Sequence, residues 1–350
     1  MKPPTQIQDI PRFDCVIDAR SPAEFALDHI PGAINCPVLD DSQRHIVGTL
    51  YKQQGAFEAR RLGGAMVAEN LARHLRQRFQ HQPAHWKPLV YCWRGGLRSG
   101  SMTQWLRLVG WDAQQLQGGY KAWRRHVIYW IDTRVPHLRL RVLVGATGSA
   151  KTLLLQALAA QGEQVLDLEA LAVHKGSVLG NVPGRTQPSQ TAFETGLVHT
   201  LQLLDPQRTI WVEGESRKIG KVALPQALVD RLRAAPCVEI EATAEARLAY
   251  LLRDYAYLGD DRTALAERLG WLKGLHSNET LARWQAWARQ GELPALFREL
   301  MQAHYDPLYA RSQASHFALW PQRQKLWTDD LSEAAVGALA TAARALPSAG

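Results

Sequence analysis

Leu140-Arg141-Val142-Leu143-Val144, followed by Gly145-Ala146-Thr147-Gly148-Ser149-Ala150-Lys151-Thr152, is the stretch on which the fold turns. A short apolar run leads into a glycine-bearing turn, and Lys151-Thr152 opens a helix, so strand, turn and helix follow in the order of a parallel α/β unit. Glycine lets backbone N–H groups close around a phosphate, lysine balances its charge, and the threonine hydroxyl meets a phosphate oxygen or the cation it carries. Gly145, Gly148, Ser149, Lys151 and Thr152 are therefore the expected phosphate or diphosphate contacts. Ala150 stands where the general pattern has glycine.

Toward the C-terminus the punctuation continues. Strands are expected near 164–168, 208–213, 237–241 and 316–320, with helices near 151–160, 190–204, 222–235 and 243–255, which makes a mainly parallel sheet covered by helices. Residues 261–304 read as a helical insertion before the last strand. Glu213 ends Thr209-Ile210-Trp211-Val212. It stands either to orient water, a metal or substrate at the sheet edge of the phosphate turn, or to pair locally with Arg217 or Lys218. Thr152 and Glu213 are the candidate neighbours of a Mg²⁺ ion carried by the phosphate.

Toward the N-terminus, Cys15-Val16-Ile17-Asp18 reads as a buried strand and Ser21-Pro22-Ala23-Glu24-Phe25 as a capped helix start, with Glu24 three positions after the serine. Residues 58–79 carry a helical pattern, and Leu89-Val90-Tyr91 is a strand that delivers Cys92 to the loop Trp93-Arg94-Gly95-Gly96-Leu97-Arg98. A helix over 99–109 begins at once. Positive charge, glycine-exposed N–H groups and a helix N-terminus favour a thiolate and stabilise an anionic sulfur or selenium adduct. Cys92, Arg94 and Arg98 are thus the catalytic candidates. A structural strand-end cysteine and a phosphatase-like anion loop share these residue types, and spacing alone does not separate them. Residues 120–138, rich in aromatics, are expected to be a terminal helix and connector, which divides the chain into 1–136 and 137–350.

Composition agrees with two globular domains: 350 residues, 46% hydrophobic and 21% charged, exclude a disordered chain and a disulfide-stapled peptide. Four cysteines without a CxxC pair, no apolar leader and no long apolar run point to a reducing, cytoplasmic location and no membrane partner. The net charge of +8 is uneven, with 18 basic against 11 acidic residues in 1–136 and 23 against 22 beyond. A polyanion is steered mainly to the first part. The candidate contacts are Arg60, Arg61, Arg73, Arg76 and Arg78, together with Arg185 in a glycine- and proline-flanked loop; a solvated basic helix face is the competing account.

Residues 14–130 resemble a rhodanese domain. The resemblance rests, in order, on Asp18-Ala19-Arg20-Ser21-Pro22-Ala23-Glu24-Phe25, His29-Ile30-Pro31-Gly32-Ala33-Ile34-Asn35, the Cys92 loop and Gly118-Gly119-Tyr120-Lys121-Ala122-Trp123. It implies that Cys92 accepts a persulfide or perselenide and that Arg20 and Glu24 organise the fold. With the P-loop and the segments His174-Lys175-Gly176-Ser177, Gln187–Glu194, Val212–Gly220 and His304-Tyr305-Asp306-Pro307-Leu308-Tyr309, the whole chain resembles the tRNA 2-selenouridine synthases. That likeness implies a rhodanese-like domain followed by a P-loop, kinase-like parallel-sheet domain. It also implies replacement of the sulfur of a wobble 2-thiouridine in tRNA by selenium from selenophosphate, through an S-geranyl intermediate made from geranyl diphosphate. A selenophosphate-supplying enzyme is the implied partner, Mg²⁺ accompanies the diphosphate, and no tightly bound organic cofactor is expected. A small-molecule sulfurtransferase coupled to a P-loop domain, and a nucleotide-regulated binding protein with a structural cysteine loop, are the competing functions.

Overall fold

The structure, a computed structural model, describes residues 4–177 and 179–347. Contacts divide the chain into two compact units: Met1–Trp130 with Pro188–His199, and Ile131–Gln187 with Thr200–Gly350. The sequence places the junction near 136. What it does not suggest is that 188–199, deep in the second half, clusters with the first unit.

Unit 1 is a parallel sheet of four strands, β1 (Cys15–Asp18), β2 (Ile34–Asn35), β3 (Pro88–Tyr91) and β4 (Gln114–Gln115), in the order β2-β1-β3-β4. Its helices are α1 (Pro22–Leu27), α2 (Asp41–Gln54), α3 (Ala56–His74), α4 (Leu97–Val109) and α5 (Gly119–Arg134). Ser21 and Glu24 form the expected capping box, with Pro22 in the first turn. The helical pattern over 58–79 resolves into α3 and a π turn over Leu75–Phe79. Helix α2, without a buried residue, lies in a stretch the sequence leaves unassigned.

Two features of the rhodanese-like pattern explain themselves inside this unit. Arg20 is 1% exposed, and its guanidinium forks onto Asp18, with Nη2 2.6 Å from Oδ2 and Nε 3.0 Å from Oδ1. Nη2 also donates to the Asp28 carbonyl at 2.7 Å, and the guanidinium lies 4.0 Å from the ring centre of Tyr120. Asp28 in turn accepts from Tyr120 Oη at 2.6 Å and from Thr195 Oγ1 at 3.0 Å. Segment 188–199 is held by the same network: Arg124 pairs with Glu194, and Ser189 Oγ donates to the Leu27 carbonyl at 2.5 Å.

Unit 2 holds a five-stranded, fully parallel sheet in the order β11-β10-β5-β7-β6. These are β5 (Leu140–Val144), β6 (Gln164–Leu166), β7 (Ile210–Glu213), β10 (Cys237–Ala242) and β11 (Gln324–Thr328), with a small antiparallel pair of β8 (Lys218–Ile219) and β9 (Val222–Ala223). Every residue of β5 is buried, as an unbroken apolar run requires of a central parallel strand. Its one charge, Arg141, lies 5.2 Å from the Trp211 ring centre and donates to the carbonyls of Leu346 and Pro347.

Helices α6 (Lys151–Ala160), α7 (Leu168–Ala172), α9 (Gln226–Arg233), α10 (Ala244–Asp254) and α15 (Glu333–Ala345) accompany the strands, while α8 (Gln190–Gln202) belongs for most of its length to unit 1. The insertion forms α11 (Arg262–Leu269), α12 (Asn278–Gln290) and α13 (Leu293–Leu300), followed by a π turn and α14 (Asp306–His316). It packs its own apolar core around the fully buried Trp284, with Leu269, Phe297 and Met301, against Leu251 and Tyr255.

Two expectations are corrected. No strand runs over 316–320: α14 ends at His316, Trp320–Gln322 is a 3-10 turn, and the last strand is β11. Phe317 and Trp320 stack on each other at the turn, whereas β11 is an edge strand with alternating burial. The helix expected over 222–235 begins only at Gln226, since Pro225 is its N-cap and the preceding residues complete the β8–β9 hairpin. Gln187 pins that hairpin by donating to Ile219 O and accepting from Lys221 N.

Arg20→Ala leaves Asp18 buried without its countercharge. The unfolding transition of unit 1, followed by chemical denaturation, should lose about 3–5 kcal/mol. Arg12→Ala, which removes an exposed partner of Asp9, should change it by less than about 1 kcal/mol.

Candidate active sites in the two units

In a parallel sheet, ligands bind beyond the carboxyl ends of strands where the chain switches direction across the sheet. In unit 1 that point lies between β1 and β3, and Cys92 follows β3 directly. The loop is held from above by the start of α5: Tyr120 N–H donates to Cys92 O at 2.8 Å and Lys121 N–H to Trp93 O at 3.0 Å. This approach is so close that a Cβ on Gly119 would sit 2.2 Å from Cys92 O, and Gly119 has φ +55°. The paired glycines of the sequence motif are therefore a clamp on the cysteine loop.

The sulfur is buried but not unattended. Cys92 Sγ accepts from Gly96 N–H at 3.3 Å and from Ser99 Oγ at 3.1 Å, and Ser99 Oγ accepts from Gln115 Nε2 at 2.8 Å. These donors stabilise negative charge on sulfur or on an atom bound to it. Burial pushes the Cys36 thiol up to about 11 against the pull of Arg78, and that of Cys237 up to about 12. Of the two arginines, Arg94 is exposed, while Arg98 is tied to Glu24 by a bidentate pair of 2.5 and 3.2 Å. Burial pushes the Glu24 carboxyl up, but Arg98 and the cap N–H outweigh it and hold it below the usual range. Arg98 thus fixes α1 to the loop with its charge answered, and the charge-stabilising work at sulfur falls to Gly96 and Ser99. Neither Ser99 nor Gln115 was singled out from the sequence; Gln115 arrives from β4, and no local signal announces it.

The basic candidates scatter. Arg61 pairs with Glu58, Arg73 donates to Asn70, and Arg60 lies exposed on α3 at a cleft beside the cysteine loop. Arg76 and Arg78 lie on the π turn, and Arg185 lies in unit 2.

In unit 2 the switch point is at β5, with β7 on one side and β10 on the other, and the turn 145–150 leaves β5 there. A Cβ on Gly145 would meet Ser149 Oγ at 2.5 Å and Ile240 O at 2.9 Å, so the loop is glycine-dependent where expected. Ala150 takes the left-handed conformation (φ +55°) that glycine would adopt freely, its methyl packed in the core. Lys151 Nζ donates to Gly145 O at 3.0 Å, across the mouth of the turn. Arg247 braces it, with Nε on Thr147 O at 2.9 Å and its other nitrogens on Asp306 at 3.1 and 2.6 Å.

Glu213 does not pair with Arg217 or Lys218. It is 2% exposed and gathers with Glu169 and Glu215, their carboxylate oxygens within 4.8 Å of one another. Thr152 Oγ1 is 3.3 Å from Glu169. Burial, then the neighbouring carboxylates, push Glu169 up to about 9; burial raises Glu213 to about 7 against the pull of Lys151. Among the described residues Glu213 Oε1 has no hydrogen-bond partner. Three carboxylates and a hydroxyl beside a phosphate turn fit a hard divalent cation such as Mg²⁺, which takes oxygen ligands. Glu169 and Glu215 join the expected Thr152 and Glu213 only through the fold.

Two cavities border the turn. One, about 310 Å³, is lined by Gly145, Lys151, Glu215 and Tyr309 among others. The second is apolar and only about 20 Å³, room for about one water, walled by Leu251, Tyr255, Phe297 and Met301. They share Thr147 and Tyr305.

A cysteine loop clamped by the next helix, and a glycine-lysine phosphate turn with acidic residues at its side, define a rhodanese-like unit joined to a P-loop unit. Residues 5–126 match the model of the rhodanese-like domain, and residues 138–280 that of the tRNA 2-selenouridine synthase AAA domain. The chain is 36% identical over 323 residues to the tRNA 2-selenouridine synthase of Alcanivorax borkumensis, covering 84% of this chain and 88% of that protein. It is 35% identical to that of Cupriavidus necator, covering 84% and 87%. The match to the Nitrosomonas europaea protein of the same description is 40% identical over 69% of this chain and 63% of that one. The chain belongs to the tRNA 2-selenouridine synthase family.

Gly119→Ala should cost at least about 1 kcal/mol from its left-handed backbone alone. The clash with Cys92 O should also speed amide exchange at Gly95 and Gly96, measured by mass spectrometry. The acidic cluster has a pH signature. Carboxyls raised above their unfolded values stabilise fully below about pH 4.5, and that contribution fades as pH rises through about 7 and 9. In chelator, the difference in stability between the native chain and Glu213→Gln should therefore shift against the native chain between about pH 5 and 9. Added Mg²⁺ should reverse the shift at the alkaline end.

Proposed function

We propose that this chain is a tRNA 2-selenouridine synthase that works in two steps on a wobble 2-thiouridine. In the first, the thiocarbonyl sulfur attacks C1 of geranyl diphosphate, the C1–O bond breaks and diphosphate leaves with the electron pair. In the second, the selenium of selenophosphate attacks C2 of the base, the C2–S bond breaks and geranylthiolate leaves with the electron pair more readily than an unalkylated sulfur would, and water then takes the phosphoryl group from selenium as phosphate. The observation that carries this reading is the phosphate turn itself, with Lys151 at its mouth and the oxygens of Thr152, Glu169, Glu213 and Glu215 beside it. Next to it, past Thr147 and Tyr305, lies an apolar wall of Leu251 and Phe297, and a prenyl chain laid along that wall would have to open the pocket of about 20 Å³ found there.

The residues divide the work. The N–H groups of the turn, with Ser149, Lys151 and Thr152, take the diphosphate, whose growing charge is stabilised by donors already in place. Mg²⁺ held near Thr152, Glu213, Glu169 and Glu215 would supply further charge neutralisation. Arg247 and Asp306 keep the turn in shape. In unit 1, Cys92 handles selenium, with Gly96 N–H and Ser99 Oγ on the anionic chalcogen. A reducing cytoplasmic setting, with selenophosphate made by a separate enzyme, keeps that thiol available.

Nucleoside mass spectrometry of tRNA incubated with geranyl diphosphate and selenophosphate separates the steps. Cys92→Ala should abolish selenouridine while geranylated tRNA still forms. Lys151→Ala should reduce geranylation by about 100-fold or more. Unchanged selenium incorporation by Cys92→Ala at limiting selenophosphate, or full geranylation by folded Lys151→Ala, overturns the respective role.

A further inference from the structure

Beside the cysteine loop, unit 1 opens into a cleft of about 1350 Å³. Pockets that enclose a drug-sized molecule run to about 300–1,000 Å³, so a small tetrahedral anion such as selenophosphate would leave nearly all of this space unused. The floor includes Gly96, whose N–H points at Cys92 Sγ, and Gln115, whose amide donates to Ser99. The opposite wall is made by α2 and α3.

The wall is cationic. Arg44, Lys52 and Arg60 line it, all three are exposed, and among the described residues none has an ion-pair partner. The fourth cation at the cleft, Arg98, is answered by Glu24. The acidic residue of the lining, Asp41, accepts the Ala23 N–H at 3.0 Å. Tyr51 stands on the same wall, 59% exposed and without a packing reason for its position. Three exposed cations, of which Arg44 alone feels a carboxylate, Glu24, at longer range, together with an exposed ring beside the cysteine loop have the make-up of a single-strand nucleic-acid groove, where cations track phosphates and aromatic faces take bases.

We propose that this cleft seats the single-stranded RNA segment that carries the nucleotide to be modified. Arg44, Lys52 and Arg60 contact its phosphates, Tyr51 stacks on a base, and the target base faces the Cys92 loop. The inference rests on the tRNA reading above and adds to it the place and the residues of contact, of which Arg44, Lys52 and Tyr51 have no other assigned role.

Binding of 2-thiouridine tRNA to the full chain over a salt series tests it, with thermal unfolding as a check that each variant is folded. The triple variant Arg44→Ala, Lys52→Ala, Arg60→Ala should bind at least 10-fold more weakly in low salt. Its slope of log Kd against log salt should fall by about 2, the value for three lost phosphate contacts to a single strand. Tyr51→Ala should weaken binding about 5- to 150-fold with the slope unchanged, and Tyr51→Phe should restore it. If the native chain binds tRNA and the folded triple variant does so with the same Kd and slope, the cleft is not the RNA seat. If the native chain neither binds nor modifies tRNA, it is the underlying tRNA reading that falls.

Discussion

Arg20 carries a full positive charge into the interior of unit 1, and its surroundings are arranged to answer that charge. Asp18 at the end of β1 forks onto it, Asp28 offers a carbonyl, and the ring of Tyr120 lies against its face. An isolated charge here would cost several kcal/mol, so the partners cannot drift apart without the unit losing its fold. Tyr120 is also the residue whose N–H holds the carbonyl of Cys92. The charge buried under the sheet therefore decides where the start of α5 lies, and the start of α5 decides the shape of the cysteine loop. A structural ion pair and a reactive sulfur are linked by one tyrosine.

The two candidate sites solve a common problem with different means. Each sits beyond the carboxyl end of a parallel strand, where backbone N–H groups converge because glycine permits close approach. In unit 1 two neutral donors, Gly96 N–H and Ser99 Oγ, converge on the sulfur of Cys92. In unit 2 the phosphate turn is bordered by three carboxylates whose burial favours their protonated forms. A divalent cation bound there would favour the ionised forms at lower pH, and its binding would then be coupled to proton release.

Legibility in the sequence followed how local each feature is. The strand-turn-helix at 140–152, the capping box at Ser21 and the loop after Cys92 are written in consecutive residues, and the structure has them as elements. The helical insertion was legible from its amphipathic spacing. The apolar Phe317 and Trp320 were not, since an aromatic run stacked at a turn and one lying in a strand have the same composition. Helix α2 buries none of its residues and is rich in polar ones, so its period has no apolar core to announce it, although it makes one wall of the cleft.

Residue type and spacing alone determined that a cysteine loop and a phosphate turn each follow a strand, because strand, glycine and helix cap act over a few consecutive positions. Only tertiary structure decided which side chains complete them. Gln115 on β4 reaches Ser99 on α4, which meets Cys92, Glu169 joins Glu213 and Glu215 from α7, and Thr195 reaches Asp28 from 167 positions away. Those encounters follow from burial and charge balance in the folded chain, forces that act between residues no sequence interval connects.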